Sequence, residues 1–161
     1  MKRSMQTKLI VGWIVIFLAG LAGLSSAAAQ TGRVAVVVNE KNPVNNLSAP
    51  ELRKLFAGEK RSWAGGLPVK IFVRAPGANE RVVMLKLLGM SESEYKRYWA
   101  GQVYRGEAQA EPVGLFSNGM QREAVLLYPG AVALVNVQDV KLGMKVVKVN
   151  GHMPAEAGYP F

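Results

Sequence analysis

Cysteine is absent, histidine occurs once, and acidic side chains are the minority among 161 residues. Without thiols no disulfide can brace the chain in an oxidising compartment, so a packed apolar core has to supply its stability. The single His152 stands between Gly151 and Met153 near the C-terminal end. It has no Cys for a zinc set and no orienting acid and nucleophile for a Ser-His-Asp arrangement, so it reads as a loop residue. Neither metal nor cofactor is expected, and an enzyme is not expected either. Aromatic residues make up only 8 % and no basic run alternates with them, which argues against nucleic acid as a partner.

What is present starts with a leader. Lys2, Arg3 and Lys8 precede an uncharged apolar run from Leu9 to Leu24, and Ser25 to Ala29 is a small-residue segment with Ala27 and Ala29 placed for cleavage before Gln30. That order is a secretory signal peptide over residues 1–29, implying a periplasmic or secreted protein. An uncleaved anchor is the competing reading, but 16 apolar residues are short for a span. Residues 30–161 then form a single domain. With three cations removed, 17 Lys and Arg stand against 11 Asp and Glu. This moderate positive excess suits anionic solutes or surfaces.

Local signals divide this domain into alternating strands and helices. Val34 to Val38 reads as a strand buried on both faces. Ser48-Ala49-Pro50-Glu51 is a capping box with Pro in the first turn, followed by the stripe Leu52, Leu55, Phe56 and a stop at Gly58. Lys60 to Pro68 reads as a surface loop from which Trp63 folds back as a lid on the core. Ser91 and Glu94 repeat the box before a helix carrying Tyr95, Tyr98, Trp99 and Gln102 on one face, taken as core. Val103 to Val113 is an exposed connection, and Asn118 with Gln121 a third capping pattern. Ala131 to Val137 and Val146 to Val149 are further strands. The alternation predicts an α/β fold: a three-layer mixed sheet flanked by helices.

The stretch with chemical content is Val69 to Leu88. An apolar strand ends at Arg74, turns at Pro76 and Gly77, and opens a helix near Asn79. A helix start gathers unpaired N–H donors and the positive end of the peptide dipole, and Arg74 adds a planar fork for a carboxylate or phosphate. Arg74, Gly77, Ala78 and Asn79 are therefore the candidate anion-binding residues. An ordinary strand-turn-helix with a solvated Arg is the alternative.

The order Val36-Val37-Val38-Asn39, Asn42-Pro43-Val44, Asn46-Leu47-Ser48, Glu51-Leu52, Leu55-Phe56, Gly58-Glu59-Lys60, Trp63, Arg74, Pro129-Gly130-Ala131 and Gly158-Tyr159-Pro160 resembles one lobe of the phosphate-binding periplasmic proteins of ABC transporters. The resemblance implies one lobe of a type 2 periplasmic binding fold and an anion such as phosphate as guest. It also implies an Arg and a Gly-Ser-Gly-Thr helix start in this lobe. Arg74 matches the Arg. The helix start reads Gly77-Ala78-Asn79-Glu80, without the hydroxyls and with a negative charge that could pair with Arg74 or Arg81. Two functions follow: a solute-binding-like module receiving an anion, or a non-catalytic interaction module that kept the lobe fold and docks a second copy of itself or an envelope protein.

Overall fold

The computed structural model describes residues 33–161; the signal-peptide reading of residues 1–29 lies outside the described residues. Six strands form one sheet: β1 (Val34–Asn39), β2 (Asn46–Leu47), β3 (Lys70–Arg74), β4 (Val113–Leu115), β5 (Ala131–Asn136) and β6 (Met144–Val149). Their order is β2-β6-β1-β5-β3-β4. β1 runs antiparallel to both β5 and β6, while β3 is parallel to β5 and β4, so the sheet is mixed.

Alternation along the valine run of β1 sends side chains to both faces. Val34, Val36 and Val38 join Val132, Leu134, Val147 and Val149 under α1 (Ala49–Phe56), α2 (Asn79–Leu88) and α3 (Glu92–Tyr104). Ala35 and Val37 join Ala133, Val135, Phe72 and Leu115 under α4 (Asn118–Leu127), which contributes Val125. The result is three layers, as expected from the sequence. Burying each large apolar side chain contributes about 1.5–3 kcal/mol, which is how a chain without disulfides holds together.

Both serine capping boxes form. Ser48 N–H donates to Glu51 Oε2 at 2.9 Å and Ser91 N–H to Glu94 Oε2 at 2.7 Å, with each serine hydroxyl accepting in return. Trp63 is buried, and its Nε1–H donates to Gly130 O at 2.9 Å. On α3, Tyr95 and Trp99 are buried, whereas Tyr98 is half-buried and donates its hydroxyl to Ala57 O at 2.8 Å.

The third capping pattern is corrected by one residue. Ser117 is the N-cap of α4, accepting from Met120 N–H at 3.1 Å. Gln121 faces inward instead, buried, with its Nε2 donating to Leu134 O at 2.6 Å. The connection after α3 is also shorter than expected, because Val103 and Tyr104 still belong to α3 and Val113 opens β4.

Candidate functional site

Ligands of α/β sheets gather beyond the carboxyl ends of parallel strands, where following helices begin. In this chain that edge is made by β3, β4 and β5. Arg74 ends β3 opposite Leu115 of β4, and Asn136 ends β5. α2 starts after the turn that leaves β3, and α4 after β4.

The turn is built for a close helix start. Gly77 takes φ +90° and is exposed, a conformation that side chains rarely adopt. Ala78 is the N-cap of α2 in extended conformation, and its methyl side chain makes no capping hydrogen bond. The first-turn N–H groups of α2 are thus left without the hydroxyl that Ser48 and Ser91 supply to α1 and α3.

Arg74 lies inward from this turn. Its side chain is 12 % exposed, and Nε lies 3.9 Å from Oε1 of Glu80, whose side chain is 3 % exposed. That separation is an ion pair but not a hydrogen bond. Nε and Nη1 of Arg74 are buried and have no hydrogen-bond partner among the described residues. Phe56, Phe72, Val73, Met84 and Leu134 close the corner, leaving no room for a water molecule.

Glu80 is held from its other side. Asn136 Nδ2 donates to Glu80 Oε1 at 3.0 Å, and Asn136 Oδ1 accepts from Asn79 Nδ2 at 2.9 Å. A chain of polar contacts thus runs Arg74, Glu80, Asn136, Asn79 across the ends of β3 and β5. Glu80 also sits in the first turn of its own helix, where a negative charge is favoured by the dipole. Of the residues singled out in the sequence, Arg74, Asn79 and the Gly77-Ala78 turn all lie at this edge. Asn136 was not singled out; the only signal is an Asn closing an apolar strand, and its role depends on partners 56 and 57 residues away.

The rest of the edge is apolar and open. Phe116 is 79 % exposed, Met120 43 % and Val137 43 %. Asn118 Nδ2 donates to Asp139 Oδ2 at 2.7 Å, tying the start of α4 to the turn after β5. Among the described residues no helix is long and apolar enough to cross a membrane, and no group of three or more metal-ligating side chains occurs.

With this geometry in view, the likeness to solved structures is informative. An ABC-type phosphate transport receptor from Vibrio cholerae superposes with a TM-score of 0.61 at 22 % identity, over 77 % of this chain and 48 % of the receptor. PstS from Borrelia burgdorferi gives 0.57 at 16 % identity, over 77 % of this chain and 49 % of its own. The chain shares their fold. It spans about half the length of these structures. No protein-family model matches it.

Proposed function

We propose that this chain is an exported, non-catalytic, solute-binding-type protein whose carboxyl sheet edge receives a small oxyanion, with phosphate as the first candidate. The observation that carries this reading is Arg74, whose buried Nε and Nη1 have no hydrogen-bond partner among the described residues, beside a helix whose N-cap, Ala78, supplies no capping group. The guest comes over the exposed Pro76 and Gly77 to the backbone at Gly77, Ala78 and Asn79, and contact with Arg74 requires the closed corner around it to open. The phosphate transport receptor among the similar structures supports the choice of anion.

Affinity is expected to be modest. Each hydrogen bond to a charged group contributes about 1.5–3 kcal/mol, and the two hydroxyl positions in the helix start of the resembling family are taken by Ala78 and Glu80. Glu80 already neutralises Arg74, so a Kd of about 1 mM or weaker is expected for the isolated chain. Calorimetric titration of the purified protein with phosphate, sulfate and small carboxylates tests this. Heat that saturates and is abolished by Arg74→Ala supports the site; no heat, or equal heat from the variant, removes it.

A second reading rests on the exposed Phe116, Met120 and Val137 at the same edge, where a second body would cover them. A second copy of the chain or an envelope protein would then complete the cleft. Sedimentation across a wide concentration range tests the first version: self-association that Phe116→Ser abolishes supports it, and a monomer throughout rejects it.

A further inference from the structure

The sequence contains two Asn-Gly pairs, Asn118-Gly119 and Asn150-Gly151. In such a pair no side chain on the second residue hinders its backbone nitrogen from attacking the asparagine amide carbon. The N–Cγ bond forms, the Cγ–Nδ2 bond breaks, and ammonia leaves with the proton of the glycine N–H. Water then opens the imide at either carbonyl, giving aspartate or its backbone-lengthened isomer, isoaspartate. Water is the only co-reactant, so the way the fold holds each pair decides whether it reacts.

Asn150 and Gly151 form the two-residue turn between Val149 and His152, which exchange backbone hydrogen bonds at 2.9 and 3.0 Å. Both turn residues are left-handed, at φ 52° and 84°, the geometry that favours Asn-Gly in a hairpin. The pair is exposed, yet each reacting group is tied. Gly151 N–H, on the attacking nitrogen, donates to Asn46 Oδ1 at 2.9 Å. Asn150 Oδ1, on the carbon to be attacked, accepts from Ala49 N–H at 3.0 Å, and Asn150 N–H donates to Leu47 O at 2.9 Å. Ring closure has to turn the nitrogen away from Asn46 and swing the amide off Ala49, so these bonds oppose it.

The ties rest on a slight element. Asn46 and Leu47 are the whole of β2, which lies at the edge of the sheet and pairs with β6 alone among the described strands, and Ala49 follows two residues later. A two-residue edge strand opens locally without global unfolding.

We propose that Asn150 is a latent deamidation site that β2 holds closed and that reacts when β2 lifts from β6. Asn46 is its positioning residue, keeping Gly151 N–H directed away from the Asn150 amide. Isoaspartate adds a backbone atom to the turn and shifts His152, against which Gly158 packs so closely that a Cβ there would stand 2.9 Å from Nε2. The tail that brings the Tyr159 hydroxyl to Val36 N–H is thereby loosened. The site lies apart from Arg74 and does not depend on the oxyanion reading.

The test holds the purified protein at mildly alkaline pH, folded and in urea, and reads amide-to-acid conversion at each pair by mass spectrometry of proteolytic peptides. Asn118-Gly119, in the exposed first turn of α4, is the reference within the same chain. Conversion at Asn150 is expected to be at least about tenfold slower in the folded protein than in urea. Folded Asn46→Ala should convert at Asn150 about threefold to tenfold faster than wild type, the worth of one hydrogen bond. Asn46→Asp keeps an acceptor oxygen and should stay near wild type, and conversion at Asn118 should be unchanged in both variants. Thermal unfolding checks that each variant is folded. Equal rates at Asn150 in folded and unfolded wild type, no acceleration by Asn46→Ala, equal acceleration by Asn46→Asp, or a matching acceleration at Asn118 would each overturn the proposal.

Discussion

A Cβ placed on Gly130 would overlap the backbone carbonyl oxygen of Pro68, so the chain before β5 and the chain before β3 approach as closely as backbone permits. The same Gly130 accepts at its oxygen from Trp63 Nε1 and from Lys70 N–H, both at 2.9 Å. Gly130→Ala has no flexible side chain to push aside. A loss of at least about 2 kcal/mol is expected in urea unfolding, because backbone must move. A variant as stable as wild type would contradict the close approach.

Glu80→Gln tests the corner behind Arg74. The amide can still accept from Asn136, but it removes the charge beside a guanidinium whose side chain is 12 % exposed. Breaking a buried pair from one side costs about 3 kcal/mol or more, so the melting temperature should fall. Under the oxyanion reading, saturating phosphate should restore more stability to this variant than it adds to wild type, since a ligand stabilises the state that binds it. Equal shifts in both proteins would count against Arg74 as the receiving group.

Acid should weaken the link between α2 and α3. Arg81 donates to both oxygens of Glu92, at 3.1 and 2.7 Å, and its guanidinium lies 4.1 Å from the Tyr95 ring centre. The Arg81 hydrogen bonds hold the Glu92 carboxyl below its ordinary value of 4.5. A depressed carboxylate contributes stability above its unfolded value and loses it as pH falls through its folded one. Glu92→Gln should therefore cost about 1–3 kcal/mol near neutral pH, with the difference from wild type shrinking below about pH 4. Denaturant titrations at several pH values will show whether the two curves converge.

Alkali probes the opposite sign. Burial pushes the Tyr159 hydroxyl up to about 12, and its oxygen accepts from Val36 N–H at 3.1 Å. The folded state holds this proton longer than the unfolded chain, so its contribution is intact below about pH 10 and declines as pH rises through about 12. Tyr159→Phe should lower neutral-pH stability by about 1 kcal/mol and flatten the alkaline fall in part. Tyr95, also raised to about 12 by burial, acts in the same direction. An unchanged alkaline slope would show that Tyr159 is not buried as described.

Local chemistry was legible where a few neighbouring residues decide it. Ser48 with Glu51 and Ser91 with Glu94 set two helix starts because cap and reciprocal acid are three residues apart. The α4 start was harder, since Ser117 and Asn118 are both cap formers and adjacent. The choice fell to Ser117 because Gln121 is drawn into the core by Leu134 O. β2 and β4, with two and three residues, have no periodicity to read and exist through β6 and β3. At the carboxyl edge, Arg74 and the turn were visible from type and order. Pairing of Glu80 with Arg74 was one of two alternatives, and the structure shows it, while Arg81 goes to Glu92. Asn136 was hidden because only the parallel pairing of β3 and β5 brings it to Glu80.

β1 is first in the described chain yet sits between β5 and β6, roughly a hundred residues further along. A ribosome therefore releases the middle of the sheet long before either flanking strand has been synthesised. Until residues 131–149 emerge, the valine run from Val34 to Val38 has no lateral backbone partners and is a sticky, extended segment. Folding of this protein is consequently a late event in its synthesis, and a nascent chain stopped before β5 should remain a client for holdase chaperones.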